Sequence, residues 1–264
     1  MRLLLTILLI LAATYVGLCA ALFFFQRSLL YFPQPRFDAA APTLELSREG
    51  ERILVTVRAR PGRDAVLYFG GNAEDVSMSV PDVSDAFPEH ALYLLHYRGY
   101  GGSSGAPSEP ALVGDALALF DEAAREHDRV TVIGRSLGSG IAVQVASQRP
   151  IARLVLVTPY DSILNLAKEQ FPYFPVTILL RDKFESWRFV DHVSAPVYLI
   201  AAEHDEVIPT LSTRALFQRF QKGKAHLTMI PGVGHNTIAT SPNYVPALRT
   251  AIFPEGQYVT GKEP

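Results

Sequence analysis

Gly134-Arg135-Ser136-Leu137-Gly138 sets a serine between two glycines, each two residues away. A serine hydroxyl is a poor nucleophile near neutral pH and attacks a carbonyl only when a neighbouring base takes its proton. The chain has seven histidines from which that base must come. His90, His127 and His192 fall in charged stretches where solvated side chains are expected, and His204 has the neighbours of a surface residue. His96 lies inside an apolar strand, as a core histidine would, and His226 opens a strand at the wrong end of a sheet. His235 follows the last apolar run in Pro231-Gly232-Val233-Gly234-His235-Asn236, a glycine-rich turn that permits close approach, and is the expected base. Its protonated form needs a carboxylate to orient and stabilise it. Asp205 is the expected acid; Glu203 and Glu206 compete by charge, and Asp161 by position. The tetrahedral intermediate needs two aimed N–H groups, each worth roughly 2.7–4 kcal/mol by loss. Leu137, directly after the serine, is expected to supply one and the Gly71-Asn72 stretch the other, with Asn72 as the chosen donor.

These residues act together only if the chain brings them to one edge. Residues 129–133 are rich in β-branched side chains and read as a strand, and residues 139–146 as a helix. Strand, G-x-S-x-G and helix is the setting of a nucleophile elbow, in which glycine is demanded where Cβ atoms would collide. Further apolar strands are expected at 52–59, 65–69, 91–97, 152–157, 196–202 and 225–230, with another through Leu44 to Leu46. Helical spacing fills 110–126, 210–221 and 242–252. Alternating strands and helices predict an α/β domain with a mostly parallel sheet covered on both faces, its site outside the carboxyl ends of the strands. Residues 163–193 interrupt that rhythm with aromatics and prolines and are expected to form a small lid of short helices. The chain order Ser136, Asp205, His235 is that of the α/β-hydrolase fold.

Several longer stretches carry a resemblance. Tyr68-Phe69-Gly70-Gly71-Asn72-Ala73 resembles the Y-F-H-G-N-A loop of the membrane-anchored Bem46-like branch of the α/β-hydrolase family, with Gly70 where that branch usually has histidine. Tyr97-Arg98-Gly99-Tyr100-Gly101-Gly102-Ser103-Ser104-Gly105 is similar to its Y-R-G-Y-G-x-S-x-G stretch, and Gly134 to Gly140 to its elbow. Phe171-Pro172 through Phe184-Glu185-Ser186 resembles its small lid, and Gln26-Arg27-Ser28-Leu29-Leu30-Tyr31-Phe32-Pro33 the exit from its apolar amino terminus. The likeness runs over about residues 1–240. It implies an α/β-hydrolase fold with a small lid and a transmembrane helix, and a Ser-Asp-His hydrolase without metal or organic cofactor.

With 264 residues the chain is long enough for one large domain. A net charge of −2 and the lack of a long basic block speak against nucleic acid. Residues 3–25 are 23 positions without a formal charge. As a helix they span roughly 34 Å, enough for a hydrocarbon core of about 30 Å. A cleaved signal peptide is the rival reading, with Leu18-Cys19-Ala20-Ala21 in its favour and the run's length and aromatic end against it. The expected organisation is an anchor at 1–26, a juxtamembrane linker at 27–48, a hydrolase domain at 49–255 with the lid at 163–193, and a tail at 256–264. The expected function is hydrolysis of an ester, thioester or amide through an acyl-enzyme, on a small-molecule or lipid-like acyl substrate, by a single-pass membrane protein. Its domain is placed on the non-cytoplasmic face. A prolyl-aminopeptidase-type peptidase and a non-catalytic binding protein on the same fold are the alternatives.

Overall fold

The computed structural model describes residues 1–38 and 40–251. The end of the expected domain, 252–255, and the tail at 256–264 lie outside the described residues. Helix α1 (Arg2–Leu30) leads into an eight-stranded sheet. Its strands are β1 (Thr43–Arg48), β2 (Glu51–Arg58), β3 (Asp64–Phe69), β4 (Ala91–Leu95), β5 (Arg129–Arg135), β6 (Arg153–Val157), β7 (Val197–Ala202) and β8 (Ala225–Ile230). Their spatial order is β1-β2-β4-β3-β5-β6-β7-β8, with β1 and β2 antiparallel and every pair from β4 to β8 parallel. The middle strands are buried along their length, as parallel strands covered on both faces must be.

Two apolar clusters lie on opposite faces of the sheet. One joins Leu67, Phe69, Val132 and Leu156 to α3 (Glu109–Ala123) and α4 (Leu137–Ala146). The other joins Tyr68, Ile133 and Val155 to α2 (Val80–Ala86) and α8 (Tyr244–Thr250). Helix α7 (Thr210–Arg219) adds Leu216 to the first cluster. Alternation along each strand sends neighbouring residues to opposite faces, so Leu67 and Tyr68 serve different cores.

Helix α1 is 29 residues long with no buried residue, and it is long and apolar enough to cross a membrane. It runs on to Leu30, past the expected anchor boundary at residue 26. The expected linker at 27–48 is corrected further by β1, which pairs in register with β2 and forms the sheet edge. Glu49 and Gly50 join the two strands with φ of 55° and 79°, the left-handed pair whose twist suits a two-residue hairpin. Residues 163–193 form α5 (Ile163–Gln170), α6 (Val176–Leu179) and two short 3-10 turns, and the α5–α6 hairpin packs along α1.

His96 is 2 % exposed, and its Nε2 lies 2.8 Å from Thr56 Oγ1. Burial, opposed by Asp75 and aided by Arg36, lowers its pKa to about 4. An unfolded histidine titrates near 6.5, so between roughly pH 4 and 6.5 the unfolded chain binds more protons. Stability is therefore expected to be fully present above pH 6.5 and to fall by up to about 3 kcal/mol as pH drops to 4. Thermal unfolding at a series of pH values checks this: His96→Asn should flatten the acid-side fall in Tm, and an unchanged slope would refute it.

Candidate active site

Two close approaches set the elbow between β5 and α4. A Cβ on Gly138 would lie 2.0 Å from the Phe69 carbonyl oxygen, and one on Gly134 would lie 2.4 Å from the Gly138 carbonyl oxygen. Glycine at both positions lets α4 start directly over the ends of β3 and β5. Ser136, between them, adopts φ 48° and ψ −117°. A non-glycine residue held there costs of order 1–3 kcal/mol, which surrounding contacts must offset. The Ser136 N–H donates to Val157 O at 2.9 Å, and Gly138 N to Gly70 O at 3.1 Å.

The turns after β7 and β8 bring the other two groups. His235 Nε2 is 2.9 Å from Ser136 Oγ, and its Nδ1 lies 2.9 and 3.0 Å from the two Asp205 oxygens. The side chains of His235 and Asp205 are only 6 % and 4 % exposed, so the pair is largely screened from water. Asp205 Oδ1 also accepts from the N–H groups of Val207 and Ile208, which fix the carboxylate. The rival acids do other things. Glu206 accepts the His235 backbone N–H at 2.9 Å, and this bond lowers its pKa. A Cβ on Gly234 would come within 2.4 Å of the same carboxylate. Glu203 accepts from Gly232 N–H. Asp161 accepts from Ser212 Oγ and from Asn165 Nδ2, and none of its bonds reaches His235.

The other histidines are placed elsewhere. His192, His204 and His226 are exposed. His127, expected in solvent, is instead 5 % exposed, between Tyr93 Oη and the Gly62 carbonyl. His90 is half-buried against Phe87, and burial lowers its pKa. In both cases the charged neighbours in sequence point outward while the imidazole turns toward an aromatic ring.

The loop after β3 lies against the serine: a Cβ on Gly71 would be 3.6 Å from Ser136 Cβ. The Gly71 N–H is engaged by Glu74 Oε2 at 2.6 Å. The Leu137 and Asn72 N–H groups have no acceptor among the described residues. Asn72 is held through its side chain. Its Oδ1 accepts from Phe32 N, Tyr100 Oη and Ala73 N, and its Nδ2 donates to Leu30 O at 2.6 Å. The carboxyl end of α1 is thus bonded to this loop. At Gly70, a Cβ would meet Val76 Cγ1 at 2.4 Å, so valine fills the space a side chain would need, while Tyr97 Oη donates to the Gly70 carbonyl.

Glu74 organises the loop and was not singled out by sequence reasoning. Its Oε1 accepts from Tyr68 Oη and Ser79 Oγ, and its Oε2 from Gly71 N and Arg135 Nη1. Burial works against the Arg135 charge, yet Glu74 and the nearby tyrosines raise the guanidinium pKa above its ordinary value. The available signal was the variable position of the G-x-S-x-G pattern, an arginine in an otherwise apolar strand end that needs a buried partner. Gly71, Asn72, Arg135, Ser136 and His235 line a cleft of about 170 Å³. The arrangement can move a proton from a hydroxyl to an imidazole beside a carboxylate and offer N–H groups to a developing negative charge.

Residues 64–184 match the family described as alpha/beta hydrolase fold. An uncharacterised protein of Mycobacterium tuberculosis is 34 % identical over 235 residues, covering 80 % of each chain. Protein bem46 of Schizosaccharomyces pombe is 27 % identical over 265 residues, covering 89 % of this chain and 87 % of its own. Among solved structures, Est1E of Butyrivibrio proteoclasticus with bound ferulic acid superposes with a TM-score of 0.67 at 16 % identity, over 80 % of this chain and 98 % of its own.

Removing Glu74 leaves Arg135 without its carboxylate. The pair is only partly buried, so its loss costs about 1–3 kcal/mol, that of leaving a hydrogen-bonding group unsatisfied. Glu74→Ala is expected to lower stability by that order in denaturant unfolding, and Glu74→Ala with Arg135→Met to recover a large part of it. Equal stability of the single and double variants would show that the pair does not hold the loop.

Proposed function

Because the chain belongs to the α/β-hydrolase family, in its Bem46-like branch, we propose that it is a serine hydrolase that cleaves an ester, thioester or amide through an acyl-enzyme. The observation that carries this reading is the continuous chain of hydrogen-bond distances from Ser136 Oγ through His235 to Asp205. Ser136 Oγ attacks the carbonyl carbon while His235 Nε2 takes the hydroxyl proton. Asp205 holds Nδ1–H, fixing the tautomer and stabilising the imidazolium. The Leu137 and Asn72 N–H groups receive the oxyanion. Both lack an acceptor among the described residues, so neither must break a bond to do so. Collapse of the intermediate passes the His235 proton to the leaving group. Water then repeats the sequence on the acyl-enzyme and frees Ser136. The chemistry is complete with these side chains and water, without metal or organic cofactor.

The carboxylic-ester or thioester reading is favoured, with an acyl or lipid-like substrate. Support comes from the apolar helix bonded to the loop beside the serine: α1 ends at the Asn72 side chain, and the α5–α6 hairpin lies against α1. Helix α1 serves as a single-pass anchor, with the domain on the non-cytoplasmic face.

Ser136→Ala is expected to fold and to lose kcat by about 10⁴–10⁶. Asp205→Asn should lose about 10⁴ while keeping the serine in place. The assay is a series of p-nitrophenyl esters of rising chain length beside aminoacyl nitroanilides, with fluorophosphonate labelling of the serine. Labelling that survives Ser136→Ala would overturn the nucleophile, and near-full activity in Asp205→Asn would overturn the acid. Preference for acetate would overturn the lipid-like substrate, and faster turnover of the anilides would move the protein to the peptidases.

A further inference from the structure

Residues 171–180 carry no formal charge, between Lys168-Glu169 on one side and Arg181-Asp182-Lys183 on the other. They form the turn of the α5–α6 hairpin and α6 itself. Their apolar side chains are not all turned inward: Tyr173 is 86 % exposed, Ile178 81 % and Phe171 39 %. The hairpin stands against α1. Tyr15 stacks on Phe174 with ring centroids 5.8 Å apart, and Tyr15 Oη donates to the Tyr173 carbonyl at 2.9 Å.

That contact fixes a depth along the helix. Arg27 pairs with Asp182 at 2.9 Å, at the base of the hairpin. Tyr15 is twelve residues from Arg27. At about 1.5 Å per residue this is roughly 18 Å, slightly more than half of a hydrocarbon core about 30 Å thick. If the Arg27–Asp182 pair marks the headgroup level, the hairpin tip sits near the middle of the bilayer. Arg181 begins next to the same level, where its backbone N–H donates to Gln26 Oε1.

Irregular backbone tolerates hydrocarbon only when its polar groups are paired. In the hairpin much of the backbone meets that condition. Phe174 N donates to Phe171 O, Val176 N to Phe174 O, Ile178 N to Pro175 O and Leu180 N to Val176 O. Pro172 and Pro175 carry no N–H. Gln26 from α1 takes the next groups: its Nε2 donates to Leu179 O at 3.0 Å and its Oε1 accepts from Arg181 N at 2.7 Å. A glutamine at the end of an apolar helix is thus used to close the backbone of its neighbour.

An apolar cleft of about 130 Å³ separates the two elements, with Leu22, Leu29, Ile163, Phe174, Val176 and Leu180 in its walls. In water such a cleft, joined to exposed Tyr173 and Ile178 and to the bare surface of α1, would be a large unfavourable patch. In a leaflet it is ordinary hydrocarbon contact.

We propose that residues 171–180 form a second membrane-entering element, embedded beside α1 in one leaflet, and that bilayer acyl chains occupy the cleft between them. The proposal rests on the reading of α1 as a membrane anchor. It makes the protein bitopic through α1 and additionally monotopic through the hairpin, and it sets the distance of the domain from the bilayer.

The test uses the full chain reconstituted in phosphatidylcholine vesicles whose acyl chains carry bromine at mid-chain. Trp187 is the single tryptophan, so Trp187→Phe supplies a silent background. Ile178→Trp reports the hairpin, Leu9→Trp reports α1, and Leu211→Trp on α7 reports water. The expected result is blue-shifted emission for positions 178 and 9 that is largely lost to brominated lipid, with position 211 unaffected. Quenching at 9 but not at 178 would overturn the embedded hairpin and leave the anchor standing. Quenching at neither position would overturn the anchor and the hairpin together.

Discussion

The rest of the structure depends on the contact between the start of α4 and the carbonyl end of β3. Gly138 lies so close to the Phe69 carbonyl that no Cβ fits, and Gly134 leaves no room for one against Gly138. Backbone on backbone at this range leaves the intervening residue few conformations, and Ser136 takes one that a serine would otherwise avoid. The strain is held by bonds on both sides: Ser136 N to β6, and Gly138 N to the loop after β3. The same packing that forces the turn also brings the loop bearing Gly71 and Asn72 alongside the serine.

Polar side chains make that juxtaposition rigid. Glu74 ties together Tyr68, Ser79, Gly71 and Arg135, so its carboxylate joins β3, the loop and the elbow. Tyr97 holds the Gly70 carbonyl from β4's end, and Tyr100 holds Asn72. Each bond satisfies a group that burial would otherwise penalise, and together they hold the Gly71–Asn72 backbone beside the serine. The environment of Asp205 follows the same rule, with backbone N–H groups on one carboxylate oxygen and the imidazole between both.

This polar network extends to α1. Leu30 and Phe32, at its exit, bond to the Asn72 side chain, and Arg27 bonds to Asp182. Asp182 accepts in turn from the Glu109 N–H, while the Glu109 carboxylate accepts from Lys183 N, Phe184 N and Gln144 Nε2. Burial raises the Glu109 pKa, an effect these donors oppose. The apolar helix, the hairpin and α4 are therefore joined by short chains of hydrogen bonds, and the helix is a structural part of the domain as well as an apolar segment.

Sequence alone determined what local pattern can encode: buried strands from uninterrupted apolar runs, the elbow from glycines whose absent Cβ is its signature, and the apolar helix from a long charge-free run. It also brought Ser136, Asp205 and His235 to one edge, because parallel strands place their following turns together. Tertiary structure alone decided matters that depend on partners distant in the chain. The strand expected through Leu44 to Leu46 becomes the sheet edge only by pairing with β2, a partner its own residues do not specify. His127 turns inward because Tyr93 and Gly62 meet it from other elements. Glu74 reads as one exposed acid in a loop until Arg135 is brought to it from 61 residues away. The hairpin's stacking on Tyr15 joins side chains more than 150 residues apart, a contact that no local periodicity can record.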